Sequence, residues 1–179
     1  MKLGERSAGE LLGRGDLLQP WQRGSPYDSI VATAGWESLE RTRLAVLDGG
    51  FAARVAPYPV VAAALVTCAS ERARMLAFQH VASHIPSLDS RLLALMWTFA
   101  DRWGRVTPDG IAIQLRLTHA ILAELAGASR PSVSTALGRL ERADSLRRAP
   151  AGWLLNRDAV CEGVTPRGQP GAGAAIPGN

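Results

Sequence analysis

The chain has 179 residues, 47% of them hydrophobic, and 20 Lys and Arg against 16 Asp and Glu give a formal net charge of +4. A chain of this length holds one large domain or two small ones, and a sequence pI near 9.8 suits an anionic partner without proving one. The longest apolar runs, such as residues 60–66, fall far short of a bilayer span, and MKLGERSAGELL lacks the apolar centre of a secretory signal.

Cys68 and Cys161 are too few for a disulfide framework or a thiolate-held cluster, so both are expected to be reduced and the compartment cytoplasmic. His80, His84 and His119 lack metal-site spacing, no glycine-rich phosphate loop occurs, and the serines sit in caps or turns. The sequence does not read as an enzyme, and it implies no cofactor and no metal.

In chain order, residues 1–56 consist of short segments divided by Gly, Pro, Asp and Ser. Two of them, residues 29–34 and 42–47, are expected to be strands; Asp48, Gly49 and Gly50 stop the second. Two strands cannot close a barrel or sandwich, so the expectation is that either another chain covers the open edges or the sequence is shortened at its N-terminus. Residues 51–55 suit a small helical turn, broken by Pro57 and Pro59.

The stretch that opens on Val60 and closes on His84 contains no Gly or Pro. It predicts a helix of roughly 25 residues, about 37 Å long at the α-helical rise. Val61, Leu65, Cys68, Met75 and Val81 form its apolar stripe, interrupted by Arg72 and Gln79. Such a helix is either buried within one subunit or paired with its twin. Residues 89–105 predict the next helix, with Leu92, Leu93, Leu95, Met96, Phe99 and Ala100 facing inward. A turn at residues 107–110 precedes an alternating strand over residues 111–117.

The most informative stretch is HAILAELAGASRPSVSTALG, residues 119–138. It predicts two short helices meeting at a fixed corner. Leu122, Leu125 and Ala126 share one face of the first helix, and Val133, Ala136 and Leu137 one face of the second. Ala123 allows the close approach, and Gly127 accepts a positive φ at the bend. Thr118 and Ser129 offer hydroxyls to the free N–H groups of the two helices.

Arg130, Pro131, Ser132, Ser134 and Thr135 then point outward at the start of the second helix, the surface that a helix-turn-helix protein lays into the DNA major groove. Arg139, Arg142, Arg147 and Arg148 crowd the same region, either as a phosphate-facing surface or as a solvated helix face. Residues 147–155 predict two short strands around a Pro-Gly turn, a wing beside the reading helix. From about Gly163 the Gly-, Pro- and Ala-rich tail is expected to be disordered.

Taken together, LGRGDLL at residues 12–18, LAVLD, the long helix, and the ordered segments LDSRLLALMWTFADRWGRV, RLTHAILAELAGASRPSVSTALGRLE and GWLL resemble the Crp/Fnr family of bacterial transcriptional regulators. The resemblance implies an α+β chain. An incomplete jelly-roll remnant, cyclic-nucleotide-binding-like, would occupy residues 1–56 and a dimerisation helix residues 57–86. A winged helix-turn-helix would occupy residues 87–160, and the tail residues 161–179.

The resemblance further implies a homodimer joined through residues 60–84, with double-stranded DNA as partner and RNA polymerase as the machine addressed. Base contact falls on Arg130, Pro131, Ser134 and Thr135. Arg130 matches a position suited to guanine, and Pro131 and Thr135 depart from the charged residues common there. Thr118, Ser129 and Ser132 are either phosphate neighbours or helix caps, and Arg139 joins the DNA-facing set. The Gly-Glu and Arg-Ser pairs of nucleotide-binding relatives are missing; Arg23 and Ser25 are the nearest substitutes, so no cyclic nucleotide is expected. The competing expectation is a truncated partner that does not bind DNA and pairs, through the same long helix, with a full-length relative.

Overall fold

A computed structural model describes residues 2–3, 6–7, 9–17 and 35–160. The chain divides into two compact units, Met1–His84 and Ile85–Asn179.

The first unit opens with two paired two-residue strands, β1 (Lys2–Leu3) and β2 (Arg6–Ser7). A tight turn follows in which the Gly13 N–H donates to Asp16 Oδ2 at 2.6 Å. The strand expected over residues 42–47 does not form: the segment is irregular, and Leu44 and Val46 are 79% and 83% exposed. Strand backbone needs a neighbour for its N–H and C=O groups, and among the described residues no strand runs beside it. The strand expected over residues 29–34 lies outside the described residues, as do Arg23, Ser25, Cys161 and the tail.

Helix α1 (Phe51–Val55) supplies the expected helical turn, and α2 (Pro59–Ser83) the long helix, with proline placed in its first turn where a missing N–H costs nothing. Val61, Leu65, Cys68, Arg72, Met75 and Gln79 are half-buried at alternating spacings of four and three, which puts them on one stripe, and Phe78 beside Gln79 is half-buried as well. Val81, assigned to that stripe from sequence, is exposed.

The arginine that interrupts the stripe explains it. Arg72 grips Glu10 with two hydrogen bonds, at 3.0 and 2.9 Å, and donates a third to the Leu17 carbonyl. The hydrogen bond from Glu10 holds the Arg72 pKa above its ordinary value, against the opposing cost of burial. Residues 9–17 are thereby tied along α2. A second row of α2, Ala62, Val66, Ala69, Ala73 and Leu76, repeats the same spacing and is exposed.

The second unit is built on α3 (Leu88–Trp103). Ser87 caps it by accepting from the Ser90 N–H. All six residues expected to face inward, from Leu92 to Ala100, are buried. The helix stops at Gly104, where any β-carbon would strike the Ala100 carbonyl, and strand β3 (Gly104–Thr107) begins at once. It forms a hairpin with β4 (Gly110–Ile113).

Sequence alternation extended that second strand to residue 117 and missed the first. The ladder in fact ends at Ile113, paired with Trp153, because the partner strand turns away there. Helices α4 (His119–Ala126) and α5 (Arg130–Arg142) follow, then β5 (Leu146–Ala149) and β6 (Gly152–Leu155). The strands make one antiparallel sheet in the order β3-β4-β6-β5. Phe99, Leu92, Leu122, Val133, Ile113, Leu146 and Leu155 are fully buried in this unit.

Candidate nucleic-acid interface

The corner between α4 and α5 is fixed by local chemistry. The Thr118 hydroxyl accepts from the Ile121 N–H, and the Ser129 hydroxyl from the Ser132 N–H, each at 3.2 Å. Capping of this kind contributes about 1 kcal/mol per helix. Gly127 adopts φ 62°, ψ 40°, the left-handed conformation that the bend requires. Its N–H and that of Ala128 close back on Glu124 and Ala123 carbonyls. Arg91, a residue with no local signal, donates to the Ala126 carbonyl at 2.9 Å and so satisfies the end of α4 from α3. Leu122, Ala123 and Ala126 face Val133, Ala136 and Leu137 as buried residues, while Leu125 is only half-buried.

With those faces inward, Arg130, Pro131, Ser132, Ser134 and Thr135 are all exposed on α5. Ser132 Oγ lies 2.8 Å from Ser129 Oγ, Ser134 Oγ donates to the Arg130 carbonyl, and Thr135 Oγ1 donates to the Pro131 carbonyl. The Arg130 guanidinium has neither a hydrogen bond nor an ion pair among the described residues.

Arg139 behaves differently. It forms a two-pronged pair with Asp89 at 2.7 and 2.6 Å, and that hydrogen bonding raises its pKa. Its guanidinium thus faces the start of α3, on the flank of the reading face rather than at its centre. As caps, Thr118 and Ser129 accept through the hydroxyl oxygen, which does not engage the hydroxyl proton.

The wing completes the surface. Trp153 on β6 donates its indole N–H to the Leu117 carbonyl at 3.2 Å, and Arg148 on β5 donates to the same carbonyl at 3.1 Å while lying 4.8 Å from the Trp153 ring centre. One backbone carbonyl, just ahead of α4, therefore anchors both strands of the wing. His119 stands beside them, its Nδ1 2.8 Å from Ser134 Oγ and its ring 6.3 Å from that of Trp153.

These residues enclose an open groove of about 550 Å³ between the wing and α5, with Arg130 and Arg148 on its walls and Glu141 as the opposing charge. Sequence patterns did not single out His119 or Trp153. The available signal was the placement of His119 directly after a capping threonine, which puts it at an exposed helix start. Among the described residues no group of His, Cys, Asp or Glu could hold a metal ion, and no helix is long and apolar enough to cross a membrane.

A capped helical corner, a free arginine at the start of the second helix and a β-hairpin beside it define a winged helix-turn-helix. Residues 90–162 match the Crp-like helix-turn-helix domain, and the chain carries that domain in its second unit. No curated protein matches the sequence. Among solved structures, a mutant of CooA from Carboxydothermus hydrogenoformans is similar at 23% identity and a TM-score of 0.55, covering 61% of this chain and 50% of that one.

The c-di-GMP-responsive global regulator CLP of Xanthomonas campestris matches at 20% identity and a TM-score of 0.48, over 60% of this chain and 52% of its own. A CRP-family transcriptional regulator of Thermus thermophilus matches at 19% identity and 0.45, over 51% and 47%. The CooA likeness shows the fold; the chain spans about half the length of these structures.

Proposed function

We propose that the protein is a sequence-specific DNA-binding transcriptional regulator acting as a homodimer on a near-palindromic operator. The observation that carries this is the unpaired Arg130 guanidinium at the exposed start of α5, beside a wing that brings Arg148 to the same groove. A guanidinium with no internal partner can present both N–H groups to the O6 and N7 acceptors of guanine.

The homodimer is supported by the exposed row Ala62, Val66, Ala69, Ala73 and Leu76, a heptad-spaced apolar seam on a helix long enough to pair with its twin. Residues 57–86 would then set the spacing of two reading heads, with half-sites about 34 Å apart along the duplex. A chain that had lost DNA binding would have no need of a free arginine on a capped reading helix, so the intact face favours binding over the heterodimer reading.

The test is selection of duplexes from a random pool by the full chain, followed by affinity measurements with Arg130→Ala. The substitution is expected to cost about 1–3 kcal/mol on the selected site and to relax preference at one base pair per half-site. Equal loss on selected and scrambled DNA would reduce Arg130 to a phosphate contact. Affinity should also fall steeply with salt, since phosphate contacts release counterions.

A further inference from the structure

We infer that Thr135, together with Pro131, reads the 5-methyl group of a thymine next to the base pair that Arg130 contacts. The inference rests on the reading of α5 as the DNA-reading helix and specifies what that helix recognises.

Pro131 and Thr135 lie one helical turn apart and are both exposed, so they share the outward ridge of α5. Pro131 offers no polar group there, and Thr135 offers no free hydroxyl proton. Proline has no N–H, and the Thr135 hydroxyl already donates to the Pro131 carbonyl at 3.1 Å. Turning that hydroxyl toward a base would break this bond, so the methyl is the group left to face outward. Of the neighbouring hydroxyls, Ser134 gives its proton to the Arg130 carbonyl and lies 2.8 Å from His119 Nδ1, and Ser132 Oγ lies 2.8 Å from Ser129 Oγ. Apart from Arg130, the outward ridge formed by Pro131 and Thr135 thus meets the groove with no free donor and with the carbon of the proline ring and the threonine methyl.

The major-groove edges of guanine, adenine and cytosine present only donors and acceptors at the helix, and burying these against carbon leaves them unpaired. Thymine alone among the unmodified bases offers an apolar group, its C5 methyl. Ser134 and Thr135 are also short, and no side chain longer than threonine stands exposed between Arg130 and Arg139 to hold the helix away from the bases.

The experiment uses the full chain and the duplex it selects from a random pool, with each thymine of a half-site replaced in turn by uracil, which deletes only the methyl. Replacement at one position adjoining the arginine-read base pair is expected to weaken binding about fourfold per half-site, the value of one buried methyl. Thr135→Ser keeps the hydroxyl and its bond to the backbone but removes the methyl. It is expected to bind the thymine duplex as weakly as the wild type binds the uracil duplex, and to lose nothing further on uracil.

Indifference of the wild type to uracil at every position would overturn the inference while leaving DNA reading intact. Uracil sensitivity that persists undiminished in Thr135→Ser would take the methyl contact away from Thr135. Failure to select any sequence would remove DNA reading itself, and this inference with it.

Discussion

Helices α2 and α3 are both rich in alanine and leucine, yet they have opposite fates. In α3 nine of sixteen residues are buried, and its apolar side chains fall on one face. In α2, which is 25 residues long, Ala82 alone is buried, and apolar residues stand on more than one side. A helix with a single apolar face completes its burial within one core; a helix with two apolar rows has one left over. The first arrangement makes a self-sufficient reading head. The second leaves an apolar row exposed, the one containing Val66, Ala73 and Leu76, and that row is the surface the proposed homodimer would cover.

The largest effect should come from breaking the second row. Ala73→Glu would place like charges across the proposed α2 seam and is expected to convert the proposed dimer to monomer in sedimentation equilibrium. Losing one of two linked heads should lower operator affinity by about 10²–10⁴. Melting of the second unit should not change. A dimer that survives the substitution would place the interface elsewhere.

Next is the core of the reading head. Leu122 is fully buried between the two helices of the corner, so Leu122→Ala is expected to cost about 2–5 kcal/mol in denaturant unfolding of that unit. The dimer seam should survive it, which would separate the two regions energetically.

A smaller effect is expected at Arg72. Removing its guanidinium in Arg72→Leu strands Glu10 beside α2, a loss of about 1–3 kcal/mol from charged hydrogen bonds to which water has partial access. Faster proteolysis within residues 9–17 would report the release of that segment. The smallest change is Gly127→Ala: a β-carbon there meets open space, so only the left-handed backbone is penalised, by about 1–2 kcal/mol.

The same contrast explains what the sequence made legible. The corner was readable because its determinants are local: Thr118 and Ser129 each cap the turn they precede, and Gly127 bends where it stands. The strand expected over residues 42–47 was not formed because alternation describes one strand and says nothing of its partner. Strand β3 was missed for the converse reason, its short GRVT segment gaining meaning only from pairing with β4.

Arg139 carried the right charge for a DNA contact, but its partner Asp89 is 50 residues away, beyond any local pattern. The groove lined by His119 and Trp153 was equally hidden, since it arises where a wing folds back onto the carbonyl of Leu117. Arg72, which reads as an interruption of an apolar stripe, is the residue that fastens the segment lying along it.

Footprinting of the selected duplex by the full chain tests the central claim most directly, because it asks at once whether the free arginine edge enters DNA and whether two heads act together. Two protected tracts related by two-fold symmetry are expected, their centres about one helical turn apart, both weakened in Arg130→Ala at a protein concentration that just saturates the wild type. A single unpaired tract would contradict the dimer, and protection unchanged in Arg130→Ala would contradict the reading helix.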